Sequence, residues 1–308
     1  MPWLRKNDGS WMVRGYHDVM ASLRDARLVS GPEGTPDRLR YPSLDAAADL
    51  QRVTLAAWQS VAPGDVELVS TVGRSFGVTA AGMVLGMSDA EVRSLLPLAE
   101  VVWRESAMAT SSASSSAARE ATAALAAAFK SQAPTHVQAF VALTHSLPAL
   151  VSNVMVHSLL ANAEWPAADD ESLRPGSGRA VLDEWLRCCA PVRYVYRQAA
   201  QRLVMNGDAI EPGTSVTVDL ESANFDPSVF PEPGLVRPGS RRAAHVAFGV
   251  APHACRGATT VHVALAAFLE AWSAFGQTHR LALMSTHAET DFVAMRTWKR
   301  AVMRVEVA

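Results

Sequence analysis

The chain has 308 residues, of which 49% are hydrophobic and 19% charged, so it can fill one large core. Its formal net charge of −2 gives no basic footprint for nucleic acid, and neither an apolar leader nor an uncharged stretch of membrane-spanning length is expected. Three cysteines, two of them adjacent, do not make a disulfide framework, so we expect a soluble cytoplasmic protein without a membrane or nucleic-acid partner.

The first third of the chain predicts a strand and several helices separated by loops. Residues 11–28 begin with strand-like alternation and continue with apolar residues at helical spacing. The proline- and glycine-rich stretch 31–42 precedes a predicted helix from about Ser43 to Trp58, and a further helical stretch lies within 64–87. Residues 107–130 are rich in alanine and serine, which predicts a loop in their first half and a helix in their second.

Residues 134–161 form a long, nearly uncharged run with helical spacing. A helix that is apolar on every side is buried, so this run predicts a central helix. Pro148 should bend the helix, because its ring clashes with the preceding turn and removes one hydrogen bond. The polar residues His145 and Ser146 come just before the bend.

Polar residues form two patterns after the central helix. Glu184 and Arg187 lie three residues apart on one predicted helix face, close enough to pair, although this spacing alone is common on solvated helices. Residues 193–219 alternate like strands and contain two glycine turns. In residues 223–233, asparagine and aspartate side chains that cap turns alternate with prolines that fix them.

A single cysteine lies in the stretch from Phe248 to Gly257, which reads Phe-Gly-Val-Ala-Pro-His-Ala-Cys-Arg-Gly and leads into a predicted helix at 258–275. A thiolate placed just before a helix N-terminus is stabilised by the helix dipole and by free backbone N–H groups. Such a sulfur is a good iron ligand. A lone cysteine is otherwise most often a small buried hydrophobe.

These segments, in this order, resemble the cytochrome P450 family: the central helix, Glu-x-x-Arg, the following sheet, the Ala-Asn-x-Asp-Pro segment and the Phe-Gly-x-x-x-His-x-Cys-x-Gly loop. The resemblance is complete from residue 134 onward and fragmentary before it. It implies a P450-like fold, mainly α with small β-sheets, truncated on the distal, lid side. We expect a single domain, 1–308, with a shortened N-terminal and lid part, 1–133, and a haem-binding core, 134–308.

The resemblance also implies a cofactor, haem b, and assigns residues to it. Cys255 would be the proximal iron ligand in the loop that begins at Phe248, and Gly257 would let the next helix pack against the ring. His253 and Arg197 would reach the haem propionates, although Arg197 also reads as an exposed strand arginine. No covalent attachment is expected, because the chain has no Cys-x-x-Cys-His.

In the family, the Glu-x-x-Arg pair belongs to a buried network with a third member, an arginine. By this resemblance Glu184 and Arg187 are the structural pair, while Leu235 falls at the position of the third member and Arg237 lies two residues on. Either Arg237 substitutes for it or the network is incomplete. An incomplete network would leave a costly unpaired charge in the interior.

The family's acid–alcohol pair falls on His145 and Ser146 in this chain. An imidazole can exchange protons at neutral pH, so His145 is a candidate acid–base group. On a helix this apolar it is equally well explained as a buried histidine bonded to a carbonyl. The neighbouring hydroxyl of Ser146 would continue a proton relay.

The resemblance leaves three hypotheses for function. The first is a monooxygenase acting on a small-molecule, secondary-metabolite substrate, with His145 and Ser146 relaying protons. The second is a haem-thiolate enzyme that uses peroxide or performs non-oxygenative chemistry, with His145 as distal acid–base. The third is a catalytically silent relative acting as a partner protein. The retained Cys255 loop argues against the third, whereas the short lid favours it, or favours a homodimer that supplies the missing cover.

Charged residues and histidines outside these motifs carry weaker indications. Arg241, Arg242 and Arg256 flank the cysteine loop and are either a docking patch for a ferredoxin-type redox partner or merely solvated. Six further histidines show no metal-ligand spacing in the sequence. These are His17, His136, His157, His245, His262 and His279.

Overall fold

A computed structural model describes residues 3–6, 8–30, 47–108, 115–129, 133–161, 178–205, 207–237, 243–250 and 252–308. In these residues the protein is mainly α-helical with small sheets, as predicted. The helices are α1 (Tyr16–Arg24), α2 (Ala47–Gln59), α3 (Arg74–Leu85), α4 (Asp89–Met108), α5 (Ser116–Phe129), α6 (Ala133–Val141), α7 (Leu147–Ala161), α8 (Arg179–Cys189), α9 (Leu220–Asn224) and α10 (Ala258–Gly276), with π-helical segments at Leu68–Gly73 and Ala142–Ser146. The strands are β1 (Trp3–Arg5), β2 (Trp11–Val13), β3 (Leu28–Val29), β4 (Gly64–Glu67), β5 (Tyr194–Ala199), β6 (Leu203–Met205), β7 (Asp208–Ile210), β8 (Ser215–Asp219), β9 (His279–Ala288) and β10 (Trp298–Val307).

The largest sheet joins the start of the chain to its later part. Its strand order is β1-β2-β8-β5-β3, and β2 runs parallel to β8 with Trp11 opposite Val216. The other sheets are β4-β10-β9 and the hairpin β6-β7. The predicted strand region 193–219 is confirmed, and its turns contain Gly207 and Gly213 in the left-handed region, at φ of 86° and 84°. Asn206, the other predicted turn residue, lies outside the described residues.

The predicted central helix is confirmed as α6, a π-helical turn and α7, which together run from residue 133 to 161. The irregularity lies directly before Pro148, where the sequence predicts a bend. Leu147 N–H donates to the carbonyl of Ala142, five residues back, and Pro148 has no N–H to continue the regular pattern. The central helix is therefore wide at the turn that carries His145 and Ser146.

Two hydrophobic clusters fill the interior. The larger one packs the central helix against α3, α8 and α10, with Phe268 and Trp272 of α10 fully buried in it. The smaller one covers the five-stranded sheet and includes Trp11 and Phe230. Because both clusters combine residues from before and after position 133, the early part of the chain is built into each of them.

Some elements were not expected from the sequence. The helix α4 and the C-terminal strands β9 and β10 were not predicted, and the predicted start of a helix at Ser43 lies outside the described residues. Of residues 107–130, the predicted second-half helix is confirmed as α5. The strands were missed because β9 and β10 alternate less regularly, with register shifts in their pairing.

Three helical segments are long and apolar enough to cross a membrane, so the expectation that no stretch reaches this length was wrong. They are Leu68–Leu85, Thr135–Leu160 and Ala258–Gly276. The fold explains their composition, because 78% of the second and 61% of the third are buried inside the protein. A helix buried within a large core is apolar all round for the same reason as a membrane helix.

Candidate functional site

A cavity of about 670 Å³ lies between the central helix and the cysteine loop. This volume is typical of pockets for small molecules and cofactors. The helix contributes Leu143, Ser146 and Leu150 to the lining, and β5 contributes Arg197. The opposite wall is formed by residues 247–249 and 252–257. Most of the lining is apolar, so the few polar groups in it define what the cavity can bind.

Backbone hydrogen bonds close the cysteine loop. Cys255 N–H donates to the carbonyl of Phe248 at 2.7 Å, and Gly249 N–H donates to that of Val246 at 2.8 Å. Gly249 has φ of +65°, a conformation that glycine adopts without steric cost. The predicted helix after the loop is confirmed as α10. The loop thus fixes the position of one sulfur in front of a long buried helix.

The Cys255 thiol is exposed on its cavity side and otherwise enclosed by protein. Burial raises the pKa of this thiol, and the backbone hydrogen bond from Gly257 opposes the rise without cancelling it. The helix N-terminus therefore does not by itself keep the sulfur ionised. A metal cation in the cavity would favour the thiolate, because coordination deprotonates a thiol outright.

Arg197 places a cation in the cavity wall, and no described residue supplies an anion for it. Its side chain is buried, its Nε has no hydrogen-bond partner among the described residues, and its Nη1 donates only to the adjacent carbonyl of Tyr196, at 2.9 Å. Burial lowers the pKa of this guanidinium. Since an unpaired buried charge is costly, the arrangement favours an anionic ligand group in the cavity. The alternative of an exposed strand arginine is wrong.

The other predicted loop residues also reach the cavity. His253 is half-buried in the lining, and its backbone N–H donates to the carbonyl of Val250 at 3.2 Å. A Cβ added at Gly257 would lie 3.9 Å from Cys255 Sγ, so the protein itself leaves room for a side chain there. The space beside Gly257 is therefore kept open on the cavity side.

The structure separates the two residues of the predicted relay. Ser146 lines the cavity, whereas His145 is not among the lining residues. His145 Nε2 lies 2.9 Å from Oε2 of Glu100 on α4, its Nδ1 lies 2.9 Å from Thr144 Oγ1, and its ring stacks on Trp103. The partners of this histidine are a carboxylate and a hydroxyl, rather than the carbonyl that the sequence suggested.

The Glu-x-x-Arg pair is fully buried and makes a complete network. Arg187 Nε and Nη2 donate to the two carboxylate oxygens of Glu184 at 3.0 and 2.8 Å. Burial lowers the pKa of Arg187, but the Glu184 carboxylate outweighs this effect and leaves it raised. The other hydrogen bonds of Arg187 go to the Sγ of Cys188 and to carbonyls, including that of Leu235 at 3.0 Å.

Arg237 takes part in this network in a way that neither sequence alternative foresaw. Its backbone N–H, not its guanidinium, donates to Glu184 Oε1 at 3.2 Å. The Arg237 side chain pairs instead with Glu232 on the surface, at 2.6 Å. The network is therefore completed by main-chain groups, which carry no charge that would need solvation.

A second concave region, of about 620 Å³, lies beside α9 and contains both acids and arginines. Its charges are paired within the region: Arg193 with Glu221 at 2.7 Å and Arg14 with Asp219 at 3.2 Å. It contains neither the cysteine loop nor the unpaired guanidinium. We therefore place the functional site in the first cavity.

The histidines show no metal-ligand spacing in the sequence, but the fold brings two of them to one aspartate. His245 and His262 converge on Asp183, and the possible ligand atoms of the three residues lie within 4.8 Å of one another. No sequence signal announced the cluster, because its members lie on three separate segments. The predicted docking arginines Arg241 and Arg242 lie outside the described residues, and Arg256 lines the cavity.

Comparison with known proteins agrees with the geometry. Residues 178–273 match the family model "Cytochrome P450", and this segment contains the buried Glu-x-x-Arg pair, the cavity arginine and the cysteine loop. Solved structures agree over the whole chain: P450BioI in complex with a fatty-acid-ligated acyl carrier protein aligns with a TM-score of 0.79 at 17% identity, covering 99% of this chain and 95% of that chain. The matched segment is of the cytochrome P450 family, and the whole chain has the fold of solved P450 structures.

Two relatives illustrate the range of P450 enzymes that this chain is similar to. A steroid C26-monooxygenase of Mycolicibacterium smegmatis is 36% identical over 95 residues, which are 30% of this chain and 23% of that protein. A 20-oxo-5-O-mycaminosyltylactone 23-monooxygenase of Streptomyces fradiae is 32% identical over 124 residues, 39% of this chain and 30% of that protein. The chain thus matches less than a third of the length of either relative. CalO2 shares the fold at a TM-score of 0.77 and 16% identity, covering 99% of this chain and 93% of that chain.

The cofactor of P450 proteins is haem b, an iron porphyrin. The residues around the cavity fit such a group on independent grounds. Cys255 offers a soft sulfur ligand, Arg197 offers a buried guanidinium that lacks an anion, and the apolar wall of the central helix suits the face of a porphyrin.

Proposed function

We propose that the protein is a haem-thiolate monooxygenase of the P450 type, which acts in the cytoplasm on a small-molecule, secondary-metabolite substrate. The observation that carries this proposal is the shared cavity of Cys255 and Arg197, an iron ligand and an anion-binding cation on the walls of one apolar space. The monooxygenase names of the two relatives described above support the reaction class.

Each cavity residue has a role in this proposal. Cys255, held by the closed loop, would ligate the iron as a thiolate, and the guanidinium of Arg197 with the ring of His253 would bind the propionate carboxylates. When bound, the haem supplies oxygen activation, which a thiolate ligand favours. Leu143, Leu150 and their apolar neighbours exclude water from the cavity.

We assign proton handling in the cavity to Ser146 rather than to His145. Ser146 lies in the cavity lining at the π-helical turn, whereas His145 contacts Glu100 of α4. Local π-helical turns inside α-helices are frequent at functional sites. The catalytic role of His145 remains a prediction, and in this arrangement the residue positions the turn that carries Ser146.

The thiolate assignment is tested by the absorption spectrum of the reduced protein under carbon monoxide. We expect a strongly red-shifted Soret band in the wild type and its loss in Cys255→Ser. The matched control is Cys189→Ala, which removes a buried thiol of α8 and should leave the band in place. A wild-type protein that binds no haem would overturn the enzyme proposal and leave only the catalytically silent homologue.

The oxygen source is tested separately from haem binding. Turnover with reductant and a ferredoxin-type partner supports the monooxygenase, whereas turnover with peroxide alone supports the peroxide-using alternative. Both experiments use the haem-loaded protein with a panel of macrolide-like and steroid-like compounds, the two substrate classes that the relatives' names suggest.

A further inference from the structure

We propose that Asp183, His245 and His262 form a binding site for one divalent transition metal ion of the zinc type, outside the haem cavity. The three residues come from different parts of the chain: Asp183 from α8, His245 from the segment before the cysteine loop, and His262 from α10. The site does not depend on the proposed catalytic function, since none of the three residues lines the haem cavity.

The potential ligand atoms of the two histidines lie near one carboxylate oxygen. His262 Nε2 lies 2.8 Å and His245 Nε2 lies 3.5 Å from the same oxygen, Oδ1 of Asp183. All three side chains are largely buried, with exposed fractions of 14% for the aspartate and 9% for each histidine. Two imidazoles and one carboxylate form a ligand set that suits zinc, with water in the fourth position.

The orientation of His262 favours metal coordination. Its Nδ1 lies 2.8 Å from the carbonyl of Ala258, which accepts only, so Nδ1 carries the proton and Nε2 points at Asp183. A carbonyl that holds the outer nitrogen of a histidine is the usual support behind a metal ligand. Nε2 is therefore the nitrogen available to a metal ion beside the Asp183 carboxylate.

His245 would be the third ligand and would release one proton on binding the metal. Its Nδ1 accepts a 3.2 Å hydrogen bond from Ala247 N–H, so in this arrangement the proton is on Nε2, facing Asp183. Coordination through Nε2 displaces that proton, which is the general reason why metal binding releases protons. Arg179 Nε lies 3.8 Å from the same carboxylate, but its side chain is 74% exposed and is free to turn towards solvent.

The location gives the metal a structural consequence. The ring of Phe248, the first residue of the cysteine loop, lies 5.7 Å from the His245 ring and 5.3 Å from the His262 ring. A bound ion would join α8, the segment before the cysteine loop and α10. An ion that binds the folded protein but not the unfolded chain would also raise the melting temperature by mass action.

The test measures zinc binding to the purified haem-containing protein without a polyhistidine tag. After equilibrium dialysis against zinc ions, elemental analysis should find one ion per chain, and the melting temperature should rise by roughly 5 °C at a hundredfold excess over the dissociation constant. Asp183→Asn, His245→Gln and His262→Gln should each bind zinc at least about tenfold more weakly and lose the temperature shift. His287→Gln, which changes an exposed histidine of β9, is the matched control and should bind like the wild type.

Two results would overturn the proposal. One is a wild type that takes up no zinc, which would leave the three residues as a hydrogen-bonded cluster. The other is equal zinc uptake by all the variants, which would place the ion elsewhere on the protein. Melting in the presence of a chelator checks folding, and if one variant fails to fold, the remaining two decide the outcome. Haem content, read from the Soret band, is recorded in parallel, so loss of haem is distinguished from loss of zinc.

Discussion

In the proposed haem site, the single residue Arg197 would link protein stability to cofactor binding. Its buried guanidinium has only a neighbouring carbonyl as a described partner, and burial lowers its pKa. Such a group destabilises the protein alone and becomes favourable when an anion enters the cavity. Its strand position, with Arg197 opposite Val216 in the sheet, keeps the side chain on the cavity wall.

The variant Arg197→Met separates these two effects. We expect the haem-free variant to be more stable than the haem-free wild type by about 1 kcal/mol or more, because an unsatisfied buried polar group is removed. Haem retention should fall, because the variant lacks the guanidinium that would bind the anionic group of the ligand. Chemical denaturation measures the first effect and the Soret band after dialysis the second. Arg202→Met removes an exposed ion pair with Glu211 and should change neither quantity.

The pair of Glu100 and His145 joins two elements, α4 and the central helix. The hydrogen bond from His145 lowers the pKa of Glu100, and partial burial opposes this shift. A carboxyl group whose folded pKa is depressed stabilises the protein above its unfolded pKa and loses that contribution as pH falls through the folded value. The contact therefore stabilises the packing of α4 on the central helix at neutral pH and weakens in acid.

His145→Gln tests this link through the pH dependence of unfolding. As pH falls below the range in which an ordinary glutamate titrates, the free energy of unfolding of the wild type should decrease. The decrease should be smaller in His145→Gln and in Glu100→Gln. The double variant should match the single ones if the two residues act as a pair. Equal acid dependence in all four proteins would contradict the link. Wild-type turnover in His145→Gln would assign the residue to packing rather than proton transfer.

The contact between α3 and the central helix depends on one glycine of α3, at the interface between the two helices. A Cβ at Gly77 would lie 2.5 Å from Pro148 Cγ and 2.7 Å from the carbonyl oxygen of Leu143, at the π-helical turn. Distances this short force one of the helices to move. Close packing at this point is what holds the widened turn beside the cavity.

We expect Gly77→Ala to destabilise the protein by about 1–3 kcal/mol, the range for overpacked cores. Because Leu143 lines the cavity, the haem spectrum or substrate affinity should change as well. Gly178→Ala is the control, since a Cβ at Gly178 meets nothing within 4 Å and its φ is negative. Urea unfolding of both variants measures the difference, and similar values for the two would contradict the packing argument.

At the scale of the whole molecule, the cavity lies between the two hydrophobic clusters. Leu143 and Leu186 belong to the larger cluster, whereas Leu220 belongs to the smaller one and Val195 packs against it. A ligand that fills the cavity therefore contributes contacts to both.

Calorimetry of the haem-free and haem-containing protein tests this coupling. We expect the haem-free protein to unfold in a broad or two-step transition, because the two clusters lose part of their shared interface. The haem-containing protein should show one sharper transition at higher temperature, since binding to the folded state stabilises it. A single transition of the same width in both forms would contradict the model of two coupled clusters.

Local sequence patterns were sufficient for much of the fold and for part of the site. Continuous apolarity at helical spacing predicted the central helix and α10, because burial of a whole helix must appear in every position of its sequence. Pro148 predicted the irregular turn, since a missing N–H is a local property. Alternation was too weak to predict β9 and β10, whose stability comes from pairing with each other and with β4.

The sequence by itself determined the P450 resemblance, the cysteine at the helix start and the pairing of Glu184 with Arg187, because these features lie within a few residues of each other. Only the tertiary structure decided that Glu100 binds His145, that Arg237 serves the buried network through its backbone, and that two histidines meet Asp183. The physical reason is the same in each case. A contact between segments that are far apart in the chain leaves no periodic trace in either segment, so its partners become visible only when the core has packed.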